Sequence, residues 1–190
     1  MNRKLRVFLG ALLSSLILFG CATWQYIPKD NTRWRSGGIE ATLPKGWVKY
    51  ASITHLLFLT KDGILLQRIT IGSKPLSKEL PLTKKKLKAD MLLQDVSGII
   101  SDDLSLNQEY KNFKLEENKP VAIGGIEAFR LTYTYNNEDF MKYKSITYGF
   151  ILNKKYYEIE YVAARQHYFD RDLADFESFI KTLTIEDKKS

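Results

Sequence analysis

One thiol, a pair of carboxylates, a short Arg-Gln-His run and a lysine cluster have the types and spacing that chemistry requires. Cys21 is the single cysteine of 190 residues. A thiolate is a strong nucleophile and the natural acceptor of a covalent modification. Glu158 and Glu160 stand two apart on an extended segment, so their side chains share one face. Two neighbouring carboxylates can exchange protons as acid and base. The more economical reading pairs them with Arg130 and with lysines of adjacent strands as cross-strand charge pairs. Arg165, Gln166 and His167 bring a guanidinium, an amide and a titratable ring to a strand–helix junction, where a ligand could bind. At such a corner the ring equally serves to cap backbone groups. Lys84, Lys85, Lys86 and Lys88 crowd the start of a helical pattern. Cations there cost about 0.3–1 kcal/mol each. Either the helix begins later, as a solvated basic loop allows, or the cluster meets lipid phosphate or an acidic partner. No nucleophile elbow, phosphate-cradling glycine loop or paired metal ligands occur, and no cofactor motif is present. His55 and His167 lie too far apart in sequence to form a recognisable metal motif.

What precedes Cys21 decides how its thiol is read. Arg3, Lys4 and Arg6 lead into an apolar run from Val7 to Phe19, followed by Gly20. About 14 helical residues would cover only ~21 Å, short of the ~30 Å hydrocarbon core. That suits a secretory leader better than a permanent span. Leu18-Phe19-Gly20-Cys21 resembles the lipobox of bacterial lipoproteins, although Phe19 stands where a small residue is usual. The resemblance implies removal of residues 1–20, a diacylglycerol on the Cys21 sulfur and commonly a third acyl chain on its nitrogen. It implies a cell-envelope location, and Ala22 in place of Asp resembles the sorting signal for the outer membrane. Ordinary secretion with cleavage after Ala22, or an uncleaved anchor, are the competing readings.

The mature chain would hold about 170 residues, enough for one domain with a real core. Of 29 cations, Arg3, Lys4 and Arg6 leave with the leader, so 26 face 22 acids and the net charge falls from +7 to +4. Interspersed charge of that size does not predict a nucleic-acid binder. With Cys21 modified no disulfide can form, and packing must supply the stability, for which ten Phe, eleven Tyr and three Trp provide the area.

Residues 21–37 read as a tether, 38–185 as a single globular domain and 186–190 as a polar tail. Ile39 to Leu43 reads as a strand closed by Pro44-Lys45-Gly46. Segments His55–Thr60 and Ile64–Ile71 predict a hairpin turning tightly through Asp62-Gly63. Thr83 offers an N-cap for a helix reaching about Leu104, with Leu92, Val96, Ile99 and Ile100 facing the core and a break near Gly98. Alternating apolar residues predict a three-stranded antiparallel meander over Ile126–Ala164. Its aromatic residues Tyr133, Tyr135, Tyr148, Phe150, Tyr157 and Tyr161 are expected beneath a terminal helix from about Asp170 to Thr182. That helix carries the stripe Phe169, Leu173, Phe176, Ile180 and Leu183.

The fold class expected is α+β, an antiparallel sheet of about six or seven strands flanked by helices. Leu43-Pro44-Lys45-Gly46-Trp47, the hairpin at Asp62-Gly63 and the closing Phe176-Glu177-Ser178-Phe179-Ile180 resemble the PsbP/Mog-type sandwich over about residues 38–185. Members of that fold mostly bind or assist other proteins, which implies no enzymatic activity but does not name a partner. The functional expectation is a lipid-anchored envelope protein that binds a partner protein, without metal or nucleic acid. A small-ligand binder using the Arg165–Phe169 corner is the alternative. An exposed apolar patch beside the basic Lys84–Lys88 loop would favour the first, and a deep pocket joining His167 to a perturbed carboxylate would favour an enzyme.

Overall fold

The computed structural model describes residues 24–30 and 32–186. Cys21 and the leader lie outside the described residues. The strands are β1 (Trp24–Tyr26), β2 (Thr32–Ser36), β3 (Ile39–Leu43), β4 (Val48–Tyr50), β5 (Leu57–Thr60), β6 (Gln67–Pro75), β7 (Lys111–Ile123), β8 (Ile126–Asn136), β9 (Lys142–Leu152), β10 (Lys155–Ala164) and β11 (Thr184–Ile185). The α-helices among the described residues are α1 (Leu93–Ser105) and α2 (Asp170–Lys181). Eight strands form one sheet in the order β1-β4-β5-β6-β10-β9-β8-β7, and β11-β3-β2 form a second. Every pairing is antiparallel. The large sheet exceeds the six or seven strands expected, because β1 and β4, three residues each, extend its edge.

The meander forms as its alternation predicts, and parity assigns its residues to two cores. Tyr157, Ile159 and Tyr161 of β10 pair with Phe150, Tyr148 and Ile146 of β9. This row packs with Ile69, Ile71, Phe176, Phe179 and Ile180 in one core beneath α2. The Phe176 ring stacks 5.1 Å from Tyr161. Tyr133 and Tyr135, however, pair with Ser145 and Tyr143. They therefore face the other way, into a second core with Val96 and Ile100 of α1 and with Leu80 and Leu87. The single aromatic row expected beneath the terminal helix is thus divided between both faces, because adjacent strand positions alternate sides.

Two other expectations give way to side-chain anchoring. The helix begins at Leu93, not Thr83. Asp103 Oδ1 accepts the N–H groups of Leu82 (3.0 Å) and Thr83 (2.7 Å) and the Thr83 hydroxyl (3.0 Å). Thr83 is bonded across the fold and does not cap a helix, and Lys84 at φ 58° leaves helical geometry altogether. Residues 83–92 form a surface strap pinned by buried Leu87, while α1 runs through Gly98 unbroken. The hairpin through Asp62-Gly63 is also wider than a two-residue turn, since β5 ends at Thr60 and β6 starts at Gln67. Gln67 Nε2 donates to Asp62 Oδ2 at 2.6 Å and to Asp172 Oδ2 at 3.0 Å, which holds the loop open. By contrast Gly124 (φ 55°) and Gly125 (φ 86°) close the β7–β8 hairpin in the two-residue turn that demands positive φ twice.

Edge strand β7 is long and largely exposed, but register shifts at Lys111/Lys114 and Leu115/Glu117, Pro120 and its charges interrupt its free edge. Such interruptions oppose pairing with another chain.

Candidate functional site

Pairing register gathers three connections at one end of the large sheet. Gln67 pairs with Ala163, Ala164 with Tyr143 and Asn136 with Lys142. The β5–β6 loop, the β8–β9 turn and the β10–α2 corner therefore lie side by side. The first two expose what a core would normally take. Phe140 is 81% exposed, Leu65 72%, Ile64 45% and Met141 42%. Leu66, Phe140, Met141, Lys142, Gln166, His167 and Tyr168 line a cleft of about 560 Å³ between these connections.

The backbone holds this surface in an unusual shape. Phe140 has φ 59°, a costly conformation for a bulky residue. Asn137 fixes it: the Phe140 N–H donates to the Asn137 carbonyl at 3.1 Å, and the Met141 N–H to Asn137 Oδ1 at 2.8 Å. Across the cleft, residues Arg165–Phe169 make a kinked turn in which His167 has φ 75° and ψ −49°, close to the strained γ-turn of positive φ. The Tyr161 hydroxyl locks the corner from below by donating to the carbonyls of Phe169 (2.9 Å) and Tyr168 (3.2 Å). Strain concentrated at one site is a pointer to function.

An ion network fixes the loop that carries Ile64 and Leu65. Asp172 is fully buried and accepts from Lys61 Nζ at 2.9 Å, from Gln67 and from Arg171. Arg171 also pairs with Asp62 and places its guanidinium 4.9 Å from the Tyr168 ring. Burial pushes the Asp172 carboxyl up, but the hydrogen bonds from Arg171, Lys61 and Gln67 outweigh it and hold the group below its ordinary value.

Of the residues singled out by sequence, Arg165, Gln166 and His167 are exposed at this corner, Gln166 and His167 lining the cleft. The His167 ring meets Tyr168 edge-on at 5.1 Å. Among the described residues no carboxylate lines the cleft with it. The lysines sit on the strap. Lys84 Nζ donates to the Pro81 carbonyl at 2.6 Å, Lys85 lies 3.5 Å from Asp102, Lys86 lies 3.7 Å from Glu79, and Lys88 is exposed.

Glu158 and Glu160 do not pair with Arg130. That guanidinium lies on the opposite face, bound to Glu117, 3.7 Å from Glu177 and 5.9 Å from the Tyr148 ring. One position of parity separates the faces. Glu160 instead accepts the Tyr133 hydroxyl at 2.6 Å and Ser145 Oγ at 3.0 Å. Among the described residues Glu158 accepts only the Tyr156 hydroxyl, at 3.3 Å. Burial, with the Glu160 charge beside it, pushes the Glu158 carboxyl up to about 7, against the opposing pull of Lys74. This perturbed carboxyl lines a separate cavity with His55 and Lys74, not the His167 cleft.

The apolar tip residues went unmarked in the sequence, although the signal was there. Phe140-Met141 follows Asn136-Asn137-Glu138-Asp139, and Ile64-Leu65 follows Asp62-Gly63. Large apolar residues inside turn segments have no local core to enter.

Neither a family model nor a curated protein matches the chain. Solved structures do. A cyanobacterial PsbP from Synechocystis superposes with a TM-score of 0.57 at 14% identity, over 88% of this chain and 95% of its own. The Ran-binding protein Mog1p of Saccharomyces cerevisiae gives 0.53 at 9% identity, over 85% and 96%. A protein of unknown function from Pseudomonas aeruginosa, described as a putative regulator, gives 0.53 at 14% identity, over 82% and 96%. The chain therefore has the PsbP/Mog-type α+β fold, here mostly antiparallel sheet with two helices.

Proposed function

We propose that this chain is a lipid-anchored protein of a bacterial cell envelope, held through acylated Cys21 on the periplasmic face of the outer membrane. Its domain, without enzymatic activity, binds a partner protein through the exposed apolar residues Ile64, Leu65, Phe140 and Met141 at this end of the sheet. The observation that carries the binding role is this apolar tip, built on strained backbone at Phe140 and His167. Contiguous exposed apolar surface rimmed by polar groups marks an interaction site. Its rim carries Lys142 and Arg165 beside Glu138 and Asp139. Charges of both signs suit a protein surface better than an anionic bilayer. Ran binding by Mog1p indicates that the fold lends itself to protein recognition, though its partner does not carry over.

Two measurements test this. Cys21→Ser is expected to move the protein from the membrane fraction to the soluble fraction and to abolish the lipid mass on the mature chain, since two or three acyl chains are what make release negligible. A variant that stays on the membrane would refute the anchor. Separately, Phe140→Glu with Leu65→Glu is expected to reduce the crosslinked partner adduct in intact cells at least about tenfold, a loss of about 1.4 kcal/mol. Both sites are exposed, so stability should move by no more than about 0.5 kcal/mol per site. An unchanged adduct, or only free monomer from the parent protein, would overturn the binding role.

A further inference from the structure

On one face of the large sheet α1 packs on β7 and β8, and strands β1, β4 and β5 lie beyond it. Among the described residues a continuous ladder of rings crosses that far side. Trp24 lies 4.7 Å from Tyr50, Tyr50 lies 5.7 Å from Phe58, and Phe58 lies 5.7 Å from His55. The ladder ends at a cavity of about 160 Å³ lined by Thr54, His55, Gly72, Lys74, Tyr156 and Glu158. At ~30 Å³ per water this is room for about five waters, or a small molecule of similar bulk.

Two glycines shape the cavity. Glu158 pairs with Gly72 of β6 on one side and Gly149 of β9 on the other. The Phe129 ring covers Gly149 so closely that an added Cβ would lie 2.1 Å from it. At Gly72 an added Cβ would meet nothing within 4 Å, so the Gly72 side is open. Across it the cavity carries opposite charges. Lys74 Nζ is held 5.2 Å from the Tyr156 ring centroid, and the Glu158 carboxylate has one long hydrogen bond. Ser52 Oγ accepts the N–H groups of Thr54 and His55, which sends its proton on toward Thr54 Oγ1 or His55 Nδ1. Burial lowers the His55 pKa, so the ring contributes a hydrogen bond and no charge near neutral pH.

We propose that this cavity binds a small zwitterion bearing a primary ammonium beside an anionic group, with the ammonium on Glu158 and the anion on Lys74. A half-buried carboxylate with one long hydrogen bond gains most from an N⁺–H partner. Two sources supply this chemistry, a free amino acid and a phosphoethanolamine headgroup. The headgroup source draws on the anchored reading above, because the ladder starts at Trp24, close in sequence to Cys21. The cavity itself does not depend on that reading.

The test titrates the full chain in nonionic detergent with glycine, phosphoethanolamine or phosphocholine and follows the His55 ring resonances. Glycine or phosphoethanolamine is expected to shift them in the millimolar range, and the tighter of the two identifies the source. Phosphocholine has no N–H to donate and should shift them far less. Glu158→Gln and Lys74→Met should each weaken binding about tenfold or more. Glu158→Gln removes a charge that burial disfavours, so its fold should be at least as stable as the parent's and lost binding would not reflect unfolding. Affinity should also rise from about pH 6 to about pH 8 as Glu158 ionises. The groups facing it are Glu160 on its own strand, Lys74 on β6, Asp103 on α1, Tyr110 ahead of β7, Tyr156 and His55. No shift from either zwitterion, an equal shift from phosphocholine, or undiminished binding by Glu158→Gln would overturn the proposal.

Discussion

Asp172→Ala is expected to lower the unfolding free energy by about 3–5 kcal/mol, the usual result of removing one member of a buried ion network. For a domain of this size that is roughly 6–20 °C in Tm. The carboxylate is fully buried, and its removal strands Lys61, Gln67 and Arg171, which converge on it from β6, the β5–β6 loop and α2. It also lies in the first turn of α2, where a negative charge complements the helix dipole. Asp172 has a lowered pKa, so its contribution is complete above the unfolded carboxylate value of 3.8 and lost as pH falls through the native value. The parent protein should therefore lose stability on acidification below about pH 4 more steeply than the alanine variant. Denaturant unfolding across that range measures both effects, and a loss under about 1 kcal/mol at neutral pH would contradict the network's importance. Because the same residues hold the loop bearing Ile64 and Leu65, the variant should also loosen the proposed partner surface.

Trp47→Ala should cost about 3–5 kcal/mol, as large aromatic deletions in cores do. Trp47 is fully buried among the residues beneath α2. Its position follows from the preceding turn. Gly46 takes φ 80° and donates its N–H to the Ile27 carbonyl, while the Trp47 carbonyl accepts the Ile27 N–H at 2.9 Å. The indole N–H donates to Asp175 Oδ2 at 2.9 Å. Trp47→Phe removes that bond and the volume of one fused ring but keeps part of the apolar contact. Asp175 retains Lys61 at 3.2 Å and partial access to water, so the phenylalanine variant should cost about 1–3 kcal/mol, less than the alanine variant. Equal losses for both variants would mean that the hydrogen bond, not the packing, carries the site.

How far local pattern reaches is visible in particular segments. The meander, the glycine turn at Gly124-Gly125 and α2 were legible because alternation, positive-φ demand and a helical stripe are properties of neighbouring residues. Tyr133 and Tyr148 looked alike in that pattern, yet they enter different cores. Each strand's alternation is visible alone, but which phase faces which helix depends on pairing across β8 and β9. Thr83 looked like a cap until Asp103, 20 residues on, took its donors. Asp62-Gly63 looked like a two-residue turn until Gln67 and Arg171 drew the Asp62 carboxylate aside. The aromatic ladder and its cavity were invisible, since Trp24, Tyr50, Phe58, Lys74 and Glu158 come from β1, β4, β5, β6 and β10.

The amino-acid order alone determined the leader-like run before Cys21, the sheet-and-helix composition and the identity of the apolar and charged faces, all of which depend on residues within a turn or two of one another. Only the tertiary structure decided which end of the sheet exposes Phe140 and Leu65, which carboxylate is stranded at Glu158 and which is buried in ion pairs at Asp172. Those outcomes follow from strand register and long-range hydrogen bonds, whose energies depend on groups that meet only once the chain has closed.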